Sequence, residues 1–404
     1  MWQQSCCITK AIILFLTTFT TISVLAEPGD TLQNNDEGKT IHRIEAEYIP
    51  GGILHTNHFL NGNNKERRTM NHATSTRIKY AFQLPQNSLE AQIYKGAYQG
   101  IGLAFHNFNP QLSNPTSVFI FQGARIARIY RGLSLNYEWD LGLTFGWNPF
   151  DEIENPENRV IGSKVTAYIN ADLYLNMVLN RWADLNIGAS FSHFSNGNTQ
   201  FPNSGLNTLG AKIGLACYIN RKKESEVTHT RIPKFQQHIS YDVVLFGAWR
   251  RRGVVSNDGE QLYAVPGTFG VYGFNFNPMY NINHWFNAGV SLDGVYDNSA
   301  NLYFDNGYIN MEKIRTPSTS KQMALGLSAR AEFVMPYFTI NIGIGKNVIN
   351  ATGDFKGVYE MFALKINVVH NTFLHIGYCL DDFAYPNYLM LGVGYRFNNK
   401  RHNR

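Results

Sequence analysis

The 404-residue chain reads as all-β, an antiparallel membrane barrel of about sixteen strands laid out as two eight-strand repeats. Three observations predict this. The first is alternation with a period of two. In YLMLGVGYRF, Leu389, Leu391, Val393, Tyr395 and Phe397 share one face and Met390, Gly392, Gly394 and Arg396 the other. Phe338, Ile340, Ile342 and Ile344 likewise oppose Thr339, Asn341, Gly343 and Gly345. The second is that segments run about ten residues, their apolar faces end in aromatics, long polar loops alternate with short turns, and the other face is Gly, Ser and charge. Those features separate a membrane barrel from a soluble sandwich, which also alternates. The third is composition: aromatics make up 14% of the chain at a mean hydropathy of -0.25. After the N-terminal stretch no segment approaches the roughly 20 apolar residues of a spanning helix.

Taken in chain order, residues 1–26 read as a secretory signal peptide. Lys10 is their only charge, an apolar stretch follows from Ala11 to Leu25, and Val24 and Ala26 are the small pair that signal peptidase requires. Cys6 and Cys7 precede the apolar stretch, so neither is a lipoprotein cysteine. A polar segment, 27–40, leads into eight expected strands near 41–50, 73–84, 98–108, 116–127, 132–147, 164–179, 183–195 and 207–220. A polar linker, 221–235, separates these from eight more near 236–250, 263–276, 284–296, 321–334, 337–346, 356–370, 372–383 and 388–397, with a tail at 398–404. LNIGASFSHF from Leu185 lines up with LHIGYCLDDF from Leu374, which suggests an internal duplication. Closure of all strands into one barrel is preferred, because only the second half ends in a strong terminal aromatic pattern, at Phe397. Twelve to fourteen strands, or two eight-stranded barrels, are the alternatives.

Cys217 and Cys379 survive signal cleavage and are expected as unpaired thiols, since two cysteines make no disulfide framework. The formal charge of +5 is too small to indicate a nucleic-acid partner. No metal or other cofactor is expected.

The stretch FSHFSNGNTQFPNSGLN, residues 191–207, carries the chemistry. On the seventh strand Leu185, Ile187, Ala189, Phe191, His193 and Ser195 share a face, so a polar pair sits at the far end of the apolar side. Asn207 opens the apolar face of the eighth strand. With a periplasmic N-terminus the seventh strand runs outward, and His193, Ser195 and Asn207 converge beside the outer leaflet. A serine activated by histidine is an acyl-transfer nucleophile. At that rim it would meet the ester-linked acyl chains of lipid A, with Asn196, Gly197 and Asn203 placed to stabilise an oxyanion. A bare H-x-S more often marks two polar residues bonding each other at headgroup level.

The motif is longer than that pair. HFSNGNTQFPNSGLN resembles the signature of the PagL-type lipid A deacylases, or acyloxyacyl hydrolases, which read H-x-S-N, then P-N-x-G, then a polar residue on the next strand. The resemblance implies an outer-membrane barrel, hence a Gram-negative source, that removes an acyl ester of lipid A, often the 3-O-linked chain; the sequence leaves open whether a homodimer forms. It makes Ser195 the nucleophile, His193 the base, and Asn196 and Asn203 the asparagines near the oxyanion. Where well-known members carry a glutamate to orient the histidine, this chain has Asn207, and no Asp or Glu occurs from His193 to Asn220. The second half places Asp382 and Ala384 at the equivalents of His193 and Ser195, so it is expected to be inactive. Two basic loops, Lys65, Arg67 and Arg68, then Arg250, Arg251 and Arg252, are candidates for the substrate's phosphates, although solvated loop charge is the commoner reason for such runs. A non-enzymatic outer-membrane barrel, a porin or surface antigen, and an outer-membrane phospholipid hydrolase are the competing readings.

Overall fold

The computed structural model describes residues 38–400 apart from 224–225, 228–230, 256–261, 305–313 and 384. The expected signal peptide, most of the polar N-terminal segment and Ala384 therefore lie outside the described residues.

The first eight strands are β1 (Ile41–Ile53), β2 (His72–Gln83), β3 (Tyr98–Asn107), β4 (Thr116–Tyr130), β5 (Leu133–Phe145), β6 (Val165–Val178), β7 (Ala183–Ser195) and β8 (Leu206–Ile219). They pair in sequence order, and β1 returns to β8, so the sheet closes. In the second half, β9 (His238–Arg250), β12 (Phe269–Asn281), β13 (Phe286–Asp297), β16 (Met323–Val334), β17 (Phe338–Ile349), β18 (Val358–Val369), β19 (Thr372–Asp381) and β20 (Tyr385–Phe397) close a second barrel through β20 and β9. Short hairpins, β10 (Gly253–Val255) with β11 (Leu262–Ala264) and β14 (Tyr303–Phe304) with β15 (Ile314–Arg315), stand apart from it.

The single sixteen-stranded closure preferred from the sequence is thus corrected to two eight-stranded barrels. The physical reason is that β8 finds a partner in β1, which satisfies every edge before the linker begins. Among the barrel strands β12 departs furthest from expectation. β12 starts later than residue 263 and runs through Asn277-Pro278 to Asn281, because alternation continues past the proline, which removes only its own N–H donor.

Both barrels are apolar outside and ionic inside. Ile44, Ile78, Leu103, Leu173, Ile213 and Leu245 face outward and exposed, whereas Arg77, Lys79, Lys212, Glu47, Glu138 and Asp172 are buried in the first lumen. Charges removed from water there need partners. Lys212 reaches Asp172 at 2.7 Å and Arg77 reaches the same carboxylate at 3.1 Å. Glu45, Glu47 and Glu138 approach closely enough to suggest a metal site, but Lys79 contacts all three, so ammonium groups occupy the place a cation would take. In the second lumen Lys365 and Arg396 pair with Asp242 and Glu332. No helix among the described residues is long and apolar enough to cross a membrane.

The barrels lie side by side. Toward one end Trp139 meets Phe338 edge-on at 5.2 Å and Phe82 meets Tyr337 at 5.7 Å. At the other end the loop after β7 rests on the start of β20. Cys217 is exposed and Cys379 buried, and both are free thiols.

Candidate functional site

β7 delivers the site because of what its even positions do. Phe194 is fully buried in a cluster of rings at the barrel mouth, 5.3 Å from Trp147, 5.4 Å from Tyr168 and 5.0 Å from His106. Since successive side chains alternate across a strand, anchoring Phe194 inward turns its neighbours His193 and Ser195 outward. They end the apolar face on which Ile187 and Phe191 stand exposed, as the alternation predicts. Across the ladder His193 pairs directly with Asn207 of β8.

The three side chains form one hydrogen-bonded line. Asn207 Oδ1 lies 2.7 Å from His193 Nδ1, and His193 Nε2 lies 2.9 Å from Ser195 Oγ. An amide oxygen only accepts, so Nδ1 carries the ring proton and donates, leaving the Nε2 lone pair to accept from the Ser195 hydroxyl. All three are half-buried. Gly205 lies flat against the imidazole. A Cβ there would come within 2.9 Å of His193 Cε1, and its φ of +73° belongs to the left-handed region that favours glycine.

Residues 196–205 fold tightly over this line. The Asn196 N–H donates to Asn203 Oδ1 at 2.8 Å, and Asn196 Nδ2 to the Gln200 carbonyl at 2.9 Å. Asn203 Nδ2 donates to Asn198 Oδ1 at 3.2 Å. The Ser204 and Gly205 N–H groups reach the carbonyls of Arg159 and Val160, both at 3.1 Å. Asn196 and Asn203, expected beside an oxyanion, are thus engaged in shaping the loop. The Gly197 N–H, on a backbone with φ +62°, has no hydrogen-bond partner among the described residues.

The basic residues divide. Lys65, Arg67 and Arg68 are exposed on the loop between β1 and β2, which touches the site loop where Asn57 Nδ2 donates to Ser204 Oγ at 3.0 Å. Arg250 is paired with Asp297 at 3.0 Å and with Asn387. Arg252 donates to the Ser299 carbonyl and to both oxygens of Asp354. Burial alone would push the Asp354 carboxyl up, but the Arg252 guanidinium overrides it and holds the group below its ordinary range. Arg250 and Arg252 are therefore engaged in ion pairs within the chain. Arg251 alone of the three is exposed. Sequence reasoning does not single out Gly205 and Asn198. The signal for the first is the final glycine of P-N-x-G, and for the second only a polar N-G-N turn.

Two closed barrels, each with an apolar exterior and an ionic lumen, define a β-barrel of the outer-membrane type. Residues 74–216 match the family model described as lipid A 3-O-deacylase (PagL), and residues 239–399 that of the acyloxyacyl hydrolase C-terminal domain. Together they take in most of both barrels, and the chain belongs to this family of carboxylic ester hydrolases that deacylate lipid A. Comparison with curated proteins gives no match. Among solved structures the chain is similar to the outer membrane protein Omp33 of Acinetobacter baumannii, at 7% identity, TM-score 0.16, covering 88% of this chain and 98% of that one. It is also similar to the siderophore receptor PirA of Pseudomonas aeruginosa, at 7% identity, TM-score 0.22, covering 90% and 82%. Neither likeness is strong enough to carry an argument.

Proposed function

We propose that the chain removes an ester-linked acyl chain, of the 3-O type, from lipid A in the outer leaflet, with Ser195 as nucleophile, His193 as base and Asn207 as the group that orients the base. The observation that carries this is the unbroken line from Asn207 through His193 to Ser195 on the lipid-facing side of the barrel. A lumen-facing dyad would meet only water and charge. An outward-facing one meets acyl esters.

The connections support the leaflet. At one end β4 to β5 and β6 to β7 are joined by short turns and β2 to β3 by residues 84–97, while residues 54–71, 146–164 and 196–205 form loops at the opposite end. Short turns are periplasmic and long loops extracellular in barrels of this kind.

Ser195 Oγ attacks the ester carbonyl carbon as His193 Nε2 takes its proton. The carbonyl oxygen becomes an oxyanion, for which we assign the Gly197 N–H, without a partner among the described residues, as a donor. Collapse breaks the ester C–O bond, and the departing sugar oxygen takes the proton from Nε2 to become a hydroxyl, leaving an acyl-serine. Water, deprotonated by the same nitrogen, releases the fatty acid. Asn207 holds the tautomer this requires but, being neutral, adds no charge to offset the imidazolium. The exposed Lys65, Arg67, Arg68 and Arg251 suit bidentate or point contacts to lipid A phosphates.

The test is a fluorophosphonate ester, which labels an activated serine. A single adduct on the peptide containing Ser195, absent from His193→Ala, supports the assignment. Labelling elsewhere, or none in protein that hydrolyses lipid A, contradicts it.

A further inference from the structure

We infer that the second barrel positions the acyl-transfer site of the first, and that Asn198 is the positioning residue through which it acts; the inference rests on the Ser195–His193 reading above. β20 pairs with β9 only from Leu391 onward, so the residues before it present carbonyls on an unfilled strand edge. Asn198 of the first barrel fills that edge. Its Nδ2 donates to the Pro386 carbonyl at 2.8 Å and to the Asn387 carbonyl at 3.1 Å. Its own carbonyl accepts the Arg251 N–H at 2.8 Å, so a second segment of the same barrel grips it.

The connection continues to the nucleophile. Asn198 Oδ1 accepts from Asn203 Nδ2, and Asn203 Oδ1 accepts the N–H of Asn196, the residue after Ser195. Gly197, which offers the unpartnered N–H, sits on Leu389 of β20: a Cβ there would lie 2.8 Å from Leu389 Cγ. A loop so bound has its oxyanion donor fixed before substrate arrives, and displacement by about an ångström is enough to cost a large rate factor. Asn198 has φ +63°, a conformation that asparagine and glycine adopt most readily.

Asn198→Gly therefore keeps the backbone and removes the bonds of the Asn198 side chain to Pro386, Asn387 and Asn203, while Leu389→Ala removes the seat under Gly197 from the other barrel. On the full-length protein in detergent with lipid A, both variants are expected to keep the heat-modifiable gel shift of a closed barrel. For Asn198→Gly kcat should fall about tenfold with KM within about twofold, and fluorophosphonate labelling of Ser195 should slow in parallel. Leu389→Ala should do the same more weakly. Wild-type kcat in both, with Ser195→Ala inactive, overturns the inference and leaves the site reading standing. A lost gel shift with unchanged kcat per folded molecule also overturns it, because Asn198 would then be structural. An active, folded Ser195→Ala protein would remove the site reading itself and the inference with it.

Discussion

The connection between β7 and β8 and the one between β19 and β20 occupy equivalent places in two barrels of the same chain, and they differ in nearly everything that matters for chemistry. In the first barrel the strand ends in an outward histidine and serine, and residues 196–205 then build a folded loop over them. In the second, β19 stops at Asp381 and β20 begins at Tyr385. Asp382, at the position of His193, has φ +49°, and its carboxylate accepts the Val358 N–H at 2.9 Å. A turn stands where the first barrel has its outward histidine. The barrels otherwise use one plan, with apolar exteriors and lumens neutralised by paired Lys, Arg, Asp and Glu. Ladder closure supplies the fold in both, so a rim connection can be rebuilt or discarded without loss of the barrel. That freedom lets one copy carry the site and the other, on the inference above, hold it in place.

The largest effects should separate the two connections outright. Ser195→Ala and His193→Ala are each expected to lower deacylation by at least about 10³-fold, as loss of a nucleophile or its base does elsewhere. Both should keep the heat-modifiable shift on gels. Asp382→Ala should change the rate by less than about twofold, since Asp382 and Ala384 stand at the positions aligned with His193 and Ser195. Comparable losses from both ends of the chain would break the comparison.

A smaller effect should come from Asn207. Its Oδ1 holds Nδ1 but leaves the imidazolium uncompensated. We expect Asn207→Ala to lower kcat about 10- to 100-fold, less than the roughly 10⁴-fold penalty of a wrong tautomer. Asn207→Glu should preserve or raise the rate. Kinetics in lipid A micelles decide this, and full activity of Asn207→Ala would mean that another group orients His193.

The arginines sharpen the comparison further. Arg251→Ala is expected to raise KM a few-fold at unchanged kcat, the signature of lost binding common to ground and transition states. Arg250→Ala and Arg252→Ala, each leaving a partly buried carboxylate unpaired, should lower thermal stability instead. The smallest effect concerns pH. Asp354 is held below its ordinary range, so its contribution to stability is present above the unfolded carboxylate pKa and is lost as pH falls through the folded value. Melting followed into the acid range should show a loss that Asp354→Asn abolishes.

Strands and site are legible in the sequence to different depths. Alternation places most strands within a few residues, because a lipid-facing side chain and a lumen-facing one differ sharply in chemistry. The same rule, applied to β7 alone, turns His193 and Ser195 outward. Closure is not legible, since β1 pairs with β8 across most of the first repeat and nothing local to either strand says so. Nor are the roles of Arg250 and Arg252. A run of three arginines looks like free charge until its partners Asp297 and Asp354, distant in the chain, are brought beside it. Asn198 is hidden for the same reason, because its partners are backbone carbonyls of another barrel.

Mass spectrometry of lipid A from cells expressing either the intact chain or its Ser195→Ala variant tests the central claim most directly. The intact protein is expected to shift lipid A to the mass of a species lacking one ester-linked acyl chain. The variant, shown by its gel shift to be folded in the outer membrane, should leave lipid A unchanged. Loss of the same acyl chain with folded Ser195→Ala protein would contradict it, and so would an intact protein that releases fatty acid from phospholipid while lipid A keeps its mass.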